Sequence, residues 1–449
     1  MRGLITRGKT VVSVVSLLFA SMLCIGQTTP PQVAKNQTFI TNYWDYEALD
    51  INPANLAANR RLNKKVSLGL MSGSFLMFNP TLKRDLIHGG GVARLADPAH
   101  WFDDILIDRT YMGMDNTILG INFNTRKAGS FGLSVKNKVL AEVELNGAFE
   151  DLDFEGTSFS NLPEVIMSTI QENPDNLPPG ETSIVRMNVL NEFNLGYSRG
   201  VLNSRMGKVK LYVGGGVKYV MGFADVGIEF TSHQVAGYYS LSSLVPDMFG
   251  GDSTIAQTQS AKKFSHGFGT SLGATLKMNK FRTSLSVVDI GFIKWPVKDI
   301  YFTKEDAAGE VISEEDIREA IGNTIRDFQR DADGKERLPT KLLLGTSYDV
   351  HKYVSFYFDL IAPLNDSPRA LSRPIAGVGT WLSAKDILTL KTGATFLDKK
   401  LVAIPVYLSL FGGKKKTFEL SVGTSDMLAF FLANRGYMQA ETALMKFHF

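Results

Sequence analysis

The sequence predicts an all-β protein, a transmembrane antiparallel β-barrel of about 14 strands with an N-terminal plug and short helices in its long loops. Three observations lead to this fold class. The chain starts with a segment typical of a secretory signal, long stretches alternate apolar and polar residues, and the last alternating run ends in phenylalanine. The expected location is the outer membrane of a Gram-negative bacterium, after cleavage of the signal.

Residues 1–26 form the signal-like segment. Its apolar stretch, residues 11–25, carries no charge and is too short to cross a bilayer as a helix. Cys24, the one cysteine of the sequence, lies within it. Attachment of a lipid to Cys24 is disfavoured because Leu23 stands where a small residue is required. We therefore expect cleavage at the end of this segment and a mature chain without disulfides.

The charge balance and the motif content exclude several classes of function. Lys and Arg number 48 against 45 Asp and Glu, and the excess of +3 is carried by three residues of the signal segment, Arg2, Arg7 and Lys9. The remaining chain is balanced, which argues against nucleic acid as a partner. The sequence contains no HExxH motif and no Cys/His cluster, so neither a metal nor a cofactor is expected.

Strands are indicated by apolar residues at every second position. In one run Val209, Leu211, Val213 and Val217 share a face, and the opposite face carries lysine and glycine. Runs of about 10 to 15 residues suit a tilted membrane crossing, whereas strands of globular proteins have a mode of about 5–6. Alternation alone fits a soluble β-sandwich equally well. The predicted runs are 66–78, 115–124, 129–140, 142–150, 185–199, 207–221, 223–231, 265–279, 280–290, 341–350, 352–362, 373–383, 387–397, 401–411, 416–423 and 440–449.

Short turns alternate with long connections along the chain, as in outer-membrane barrels. One long connection contains a capping box at 313–316 followed by apolar residues at helical spacing. A second, shorter helix is expected around Trp101. These helices are expected either to pack as a lid or to line a substrate entrance. The possible entrance residues are Trp101, Phe292, Ile317, Ile321 and Phe328.

The terminal run places Phe447 and Phe449 on one face and Lys446 and His448 on the other. A last strand ending in phenylalanine resembles the signal that the barrel assembly machinery reads. We therefore expect this machinery to be a partner and the two phenylalanines to form the assembly signal.

Residues 50–57 read Asp-Ile-Asn-Pro-Ala-Asn-Leu-Ala, between a short polar leader and the first strand run. This layout resembles the FadL-like family of outer-membrane transporters for long-chain fatty acids and other hydrophobic compounds. It equally resembles related barrels of Bacteroidota-type, type IX-secreting bacteria, to whose strand ends the run 286–295 is similar. The resemblance implies a barrel of about 14 strands and an inward-folded plug that contains Asn52, Pro53 and Ala54.

The residues of this segment are suited to such a plug. Pro53 fixes its own φ and favours an extended Asn52, and the side chains of Asn52 and Asn55 can bond to turn backbone groups. The alternative is an ordinary surface turn before the first strand. We expect residues 27–62 to form the plug-like segment and residues 63–449 to form the barrel.

Two functions are compatible with this architecture, and neither is enzymatic. The first is passive transport of hydrophobic small molecules such as fatty acids. The alternative is a barrel that docks or shuttles secreted cargo proteins in a type IX-like secretion system. Either protein would be surrounded by outer-membrane lipid. Residues 269–273 match the Gly-x-Ser-x-Gly motif of a hydrolase, but Ser271 falls inside an alternating run rather than at a strand-to-helix turn, so no catalytic residue is expected.

Overall fold

The fold is known from a computed structural model of the 449-residue chain. It describes residues 39–58, 65–78, 110–125, 128–144, 183–204, 208–230, 234–241, 264–295, 298–303, 335–365, 374–384, 387–397, 400–413, 417–424, 426–430 and 437–449. The predicted signal segment and the predicted loop helices lie outside these residues.

The described part of the chain is dominated by strands that follow the predicted alternation. The strands are β1 (Val66–Phe78), β2 (Thr110–Thr125), β3 (Gly129–Glu144), β4 (Ser183–Asn203), β5 (Val209–Phe230), β6 (Gln234–Leu241), β7 (Ser265–Met278), β8 (Phe281–Lys294), β9 (Lys298–Thr303), β10 (Lys335–Arg337), β11 (Lys341–His351), β12 (Val354–Pro363), β13 (Ile375–Ala384), β14 (Leu388–Leu397), β15 (Lys400–Ala403), β16 (Val406–Gly412), β17 (Phe418–Thr424) and β18 (Tyr437–His448). None of the helices among the described residues has the length and apolar character needed to cross a membrane.

Within the described residues, 14 strands close into one antiparallel barrel, which confirms the predicted fold class. β18 pairs back with β1, for example through Phe447 opposite Leu68. The shorter strands β6, β9, β10 and β15 are additions to this ring. β10 and β15 precede β11 and β16 and are separated from them by short breaks that contain Pro339 and Pro405. Proline has no N–H for the ladder, which explains why one predicted run, 401–411, is split.

The outer surface of the barrel is apolar and its interior is polar. Along β4, Leu195 is 53% exposed on the outside, whereas Asn194, its chain neighbour, is 5% exposed and faces inward. The same alternation continues with exposed Tyr197 and buried Ser198. A soluble sandwich would bury the apolar face, so this arrangement fits a barrel surrounded by lipid and excludes the sandwich alternative.

Two differences from the predicted strands have local causes. The runs predicted at 207–221 and 223–231 form the single strand β5. Its pairing with β4 shifts register opposite Val189 and Leu190, so that Phe223 is an extra residue on the bulged strand. The extra residue reverses the alternation and makes one strand look like two. The runs predicted at 129–140 and 142–150 likewise belong to one strand as far as Glu144.

The two ends of the barrel differ. At one end, called the short-turn mouth here, neighbouring strands are separated by only a few residues of sequence, at 125–129, 203–209, 278–281, 351–354, 384–388 and 412–418. The opposite end, the long-connection mouth, carries the longer connections. Short turns are the periplasmic feature and long loops the external feature of outer-membrane barrels.

Candidate functional site

Residues 39–58, called the plug segment here, lie inside the barrel. They form two 3₁₀-helices, Ile40–Asn42 and Asp45–Asp50, and one α-helical turn, Asn55–Ala58. The segment contacts β1, β3, β5, β7, β8, β12 and β18, among other strands. A segment this short can reach strands on all sides of a ring only from within it. The plug segment therefore lies within the lumen and occupies much of its cross-section.

The Asn-Pro-Ala element is the turn between the second 3₁₀-helix and the α-helical turn. Asn52 uses its side-chain oxygen to accept the N–H of Ala54 at 2.9 Å and its amide nitrogen to donate to the carbonyl of Ala274 in β7 at 3.1 Å. Asn55 donates to the carbonyl of Ile40 at 2.9 Å. Asn52, Ala54 and Asn55 are all buried. The two asparagines thus satisfy backbone groups inside the plug segment and anchor it to the wall.

Glycines that lie opposite each other on neighbouring strands make room for the plug segment. A Cβ added at any of these glycines would overlap a plug atom. The missing side chains therefore allow close approach of another part of the chain. Tyr46 lies over the first pair, Leu49 and Leu56 over the second, and Asn52 and Pro53 over the third. The pairs are Gly69–Gly120, Gly132–Gly196 and Gly214–Gly273.

The start of the plug segment is fixed to the wall by hydrogen bonds. The carboxylate of Asp359 in β12 accepts the backbone N–H groups of Phe39 and, at 3.2 Å, Ile40. Arg282 in β8 donates from Nη1 to the carbonyl of Thr41 at 3.0 Å. The guanidinium of Arg282 is charged, and hydrogen bonds to ionised groups are the stronger kind in proteins. These contacts hold the entry of the segment against strands β8 and β12.

A cluster of charges surrounds Asp50 in the lumen. Lys136 in β3 pairs with Asp50, and Lys218 in β5 lies 3.6 Å from it. Lys218 also contacts Glu192 at 2.9 Å and Asp289 at 2.5 Å. Burial by itself would raise the pKa of Asp50, but the two lysines outweigh it and hold that pKa below its ordinary value. The plug segment is thus joined to both lysines by an ionised carboxylate.

A second charged contact joins the plug segment to the terminal strand. The ammonium of Lys446 lies 2.7 Å from the Glu47 carboxylate and 3.4 Å from that of Asp45. The neighbouring inward residue, His448, stacks on Trp44 with ring centroids 4.8 Å apart. The inward face of β18 therefore binds the plug segment.

A group of buried apolar side chains faces the lumen on the long-connection side of the charge cluster. Leu190, Val220, Ile293, Trp295 and Leu338 pack together, each at most 3% exposed. The indole N–H of Trp295 donates to Glu336 at 2.9 Å. This group, called the upper apolar cluster here, is one of several groups of apolar side chains inside the barrel.

The other residues singled out in the sequence have different positions. Phe292 belongs to β8 rather than to a loop, and it is 37% exposed on the face opposite the buried Ile293. Trp101, Ile317, Ile321 and Phe328 lie outside the described residues. Phe447 contacts Phe418 on the neighbouring strand and Phe449 is 63% exposed, and their role in assembly stays a prediction.

Ser271 lies inside β7, as its alternating context indicated. Its hydroxyl accepts the N–H of Asp289 at 3.3 Å. Asp289 itself has a positive φ of 59° beside the register shift between β7 and β8. Among the described residues no group of His, Cys, Asp and Glu could hold a metal ion.

Sequence reasoning missed several of the residues that hold the plug segment. Asp359 and Lys446 were each one of many charged residues on a polar strand face. A charged residue on a lumen face signals a buried partner, but alternation alone does not identify that partner. Tyr46 likewise gives no signal of its own, since only the folded ring brings Gly69 and Gly120 against it.

Comparisons with known proteins give one family and a set of solved structures. The family described as "Family of unknown function (DUF5723)" matches residues 106–372. No curated protein matches the sequence. The solved structures to which the chain is similar include a FadL homologue, as the sequence resemblance predicted.

The similarity to the solved structures extends over most of each chain at low identity. The Pseudomonas putida toluene transporter TodX is 10% identical, with a TM-score of 0.45 over 91% of this chain and 94% of that one. A Pseudomonas aeruginosa FadL homologue is 10% identical, with a TM-score of 0.41 over 92% and 93%. The monoaromatic hydrocarbon channel CymD is 10% identical, with a TM-score of 0.41 over 92% and 95%.

Proposed function

The chain belongs to the DUF5723 family, and we propose that it is a passive outer-membrane channel for hydrophobic small molecules. The observation that carries this proposal is how the plug segment is held. The barrel ring closes through its own strand pairing, and the contacts of the plug segment with the wall run through side chains, as at Asp359 and Lys446. Such a segment can shift without opening the sheet.

The lumen offers an apolar molecule a place to bind on the long-connection side of the plug segment. We infer that an apolar molecule binds there by separating the side chains of the upper apolar cluster, among them Leu190, Ile293 and Trp295, which are buried against one another. Burial of apolar ligand surface yields about 25 cal/mol per Å². Release then requires only that the plug segment moves, so the proposed transport needs no reaction and no energy source.

A disulfide that locks the plug segment tests the proposal. A Cβ at Gly345 would lie 2.7 Å from the Cβ of Ile40, and a disulfide requires about 3.5–4.5 Å, so a shift of about 1 Å suffices. Ile40→Cys with Gly345→Cys, in a Cys24→Ser background, leaves no competing thiol. Uptake of radiolabelled oleate and toluene is measured in a Gram-negative host that lacks its own hydrophobic-compound channels.

We expect uptake above the empty-vector level, loss of uptake when the double-cysteine protein is oxidised, and recovery with dithiothreitol. The two single-cysteine variants are the matched controls and should not respond to oxidation. Uptake no greater than with the empty vector contradicts the proposal. If, in addition, the purified barrel retains a secreted protein and no apolar molecule, the docking function would replace transport.

A further inference from the structure

A cavity of about 430 Å³ lies at the short-turn mouth, between the plug segment and the wall. The plug segment contributes Asn42, Trp44, Ala57 and Ala58. The wall contributes the ends of β5, β7 and β8 and the β11–β12 turn. The volume falls in the range of about 300–1,000 Å³ that is typical of small-molecule sites.

The basic side chains that line this cavity outnumber the acidic ones. Lys277, Arg282 and Lys352 line it together with His351, and Asp349 is the one carboxylate among its lining residues. Asp349 already accepts the hydroxyl of the lining residue Ser355 at 2.6 Å. A cavity with this excess of positive charge attracts anions.

Two of the residues that line the cavity carry N–H groups without a hydrogen-bond acceptor in the described part of the chain. Nη1 of Arg282 is held by the Thr41 carbonyl at 3.0 Å, which fixes the guanidinium. Nε of Arg282 and Nδ2 of Asn42 are buried and have no hydrogen-bond partner in the described part of the chain. Buried donors normally have partners, and each that lacks one costs about 1–3 kcal/mol. Both residues line the cavity, so an anion bound against them would supply acceptors for both after a small shift of the surrounding side chains.

The remaining walls are aromatic. Trp44, Tyr212, Tyr357 and Trp381 line the same cavity. Lys277 donates to the carbonyl of Ala58 and lies 5.9 Å from the centre of the Tyr212 ring. Aromatic walls bury a flat apolar body well, whereas an inorganic anion would leave most of this surface uncovered.

We propose that this cavity is a binding site for a small organic anion, a carboxylate carried on a flat apolar body. The carboxylate is placed at Arg282, within the field of Lys277 and Lys352, and the body lies against the aromatic rings. The site is an equilibrium binding site and goes beyond the proposed transport, because it does not require that the barrel conducts anything.

Binding of 2-naphthoate to the purified full-length barrel in nanodiscs tests the site by equilibrium dialysis. The neutral analogue 2-naphthylmethanol has a similar body without the charge, and inorganic phosphate has charge without the body. Arg282→Gln removes the fixed guanidinium, and Lys352→Glu reverses a charge on the exposed turn. Lys208→Gln is the matched control, since Lys208 is exposed at the same mouth and does not line the cavity.

We expect one naphthoate bound per barrel and at least tenfold weaker binding of both naphthylmethanol and phosphate. Arg282→Gln should weaken naphthoate binding about 10- to 100-fold, which corresponds to loss of a hydrogen bond to a charged group. Lys208→Gln should leave it unchanged. Equal binding of naphthylmethanol or of phosphate overturns the proposal. So does a dissociation constant within twofold of wild type for Lys352→Glu, a variant that stays informative if Arg282→Gln fails to fold.

Discussion

Replacing Tyr46 by alanine removes the side chain that lies over the first glycine pair. Tyr46 is fully buried, and its ring occupies the space that side chains at Gly69 and Gly120 would need. Truncation of a buried aromatic residue to alanine costs about 3–5 kcal/mol. Because the ring joins the plug segment to the wall, this cost should appear as easier displacement of the plug segment from a barrel that stays intact.

The displacement is measured by labelling a single thiol in the plug segment. Ala48 is fully buried, so Ala48→Cys in a Cys24→Ser background reacts with a maleimide only when the segment opens. If opening is fast compared with labelling, the rate follows the opening equilibrium, and Tyr46→Ala should raise it roughly 100- to 4,000-fold. Tyr46→Phe keeps the ring and should raise it less than about tenfold. Heat-modifiable gel mobility shows whether each barrel is folded.

A double substitution tests whether Tyr46 acts by packing against the Gly69–Gly120 pair or only through a general loss of stability. Gly120→Ala alone should also promote opening, because its methyl group would overlap the Tyr46 ring. In the Tyr46→Ala protein the same methyl group enters vacated space, so the two changes together should cost less than their sum by about 1 kcal/mol or more. Effects that add within about 0.5 kcal/mol would refute the placement of the ring between these strands.

Three further changes probe the polar anchors with the same labelling assay. Asp359→Ala should increase labelling about tenfold or more because the buried N–H groups of Phe39 and Ile40 lose their acceptor. Asp359→Asn keeps one acceptor oxygen and should have a smaller effect. Equal effects of the two substitutions would contradict the anchor. Asp50→Asn should increase labelling less than tenfold, since Lys136 and Lys218 remain paired with carboxylates of the wall. This increase should vanish at high salt if the contact is solvated when the segment opens. Lys446→Met should increase labelling most of the three, because it removes the ammonium that pairs with the plug carboxylates Asp45 and Glu47. Loss of one partner of a buried ion pair costs about 3–5 kcal/mol. Labelling at the wild-type rate would show that the contact contributes nothing.

The barrel could be predicted from the sequence because a lipid-facing strand must alternate, and alternation is a local property. The prediction failed where a local irregularity broke the period, as at the bulge residue Phe223 and the break at Pro405. The inward position of Asn52 was expected from a motif, and its hydrogen bonds follow from side-chain chemistry. The packing of Tyr46 over its glycine pair and the hydrogen bonds accepted by Asp359 could not be predicted, since each joins residues far apart in sequence and depends on the strand register.

The charge balance of the chain also conceals how the lumen is arranged. Residues 39–58 contain three acidic residues, Asp45, Glu47 and Asp50, and no basic one, while their ionic partners on the wall are lysines. Opposite charges are thus divided between the plug segment and the wall, which stabilises the segment inside the lumen. Lys136 and Lys218 would still form ion pairs with carboxylates of the wall if the segment moved. The ion pairs of Lys446 in the described part of the chain are both with the plug segment.

This asymmetry predicts how the plug segment opens. Withdrawal at Asp50 leaves Lys136 and Lys218 with other carboxylates of the wall. Withdrawal at Asp45 and Glu47 removes both ion pairs of Lys446 and leaves it Glu419, its cross-strand neighbour on β17, and breaking buried ion pairs costs several kcal/mol. Opening should therefore begin at the side that carries Asn52 and Ala54, with the contact to Lys446 acting as the hinge. A thiol placed at Ala57 should then be labelled faster than one at Ala48, although both side chains are buried. Equal labelling rates would instead mean that the segment leaves as one body.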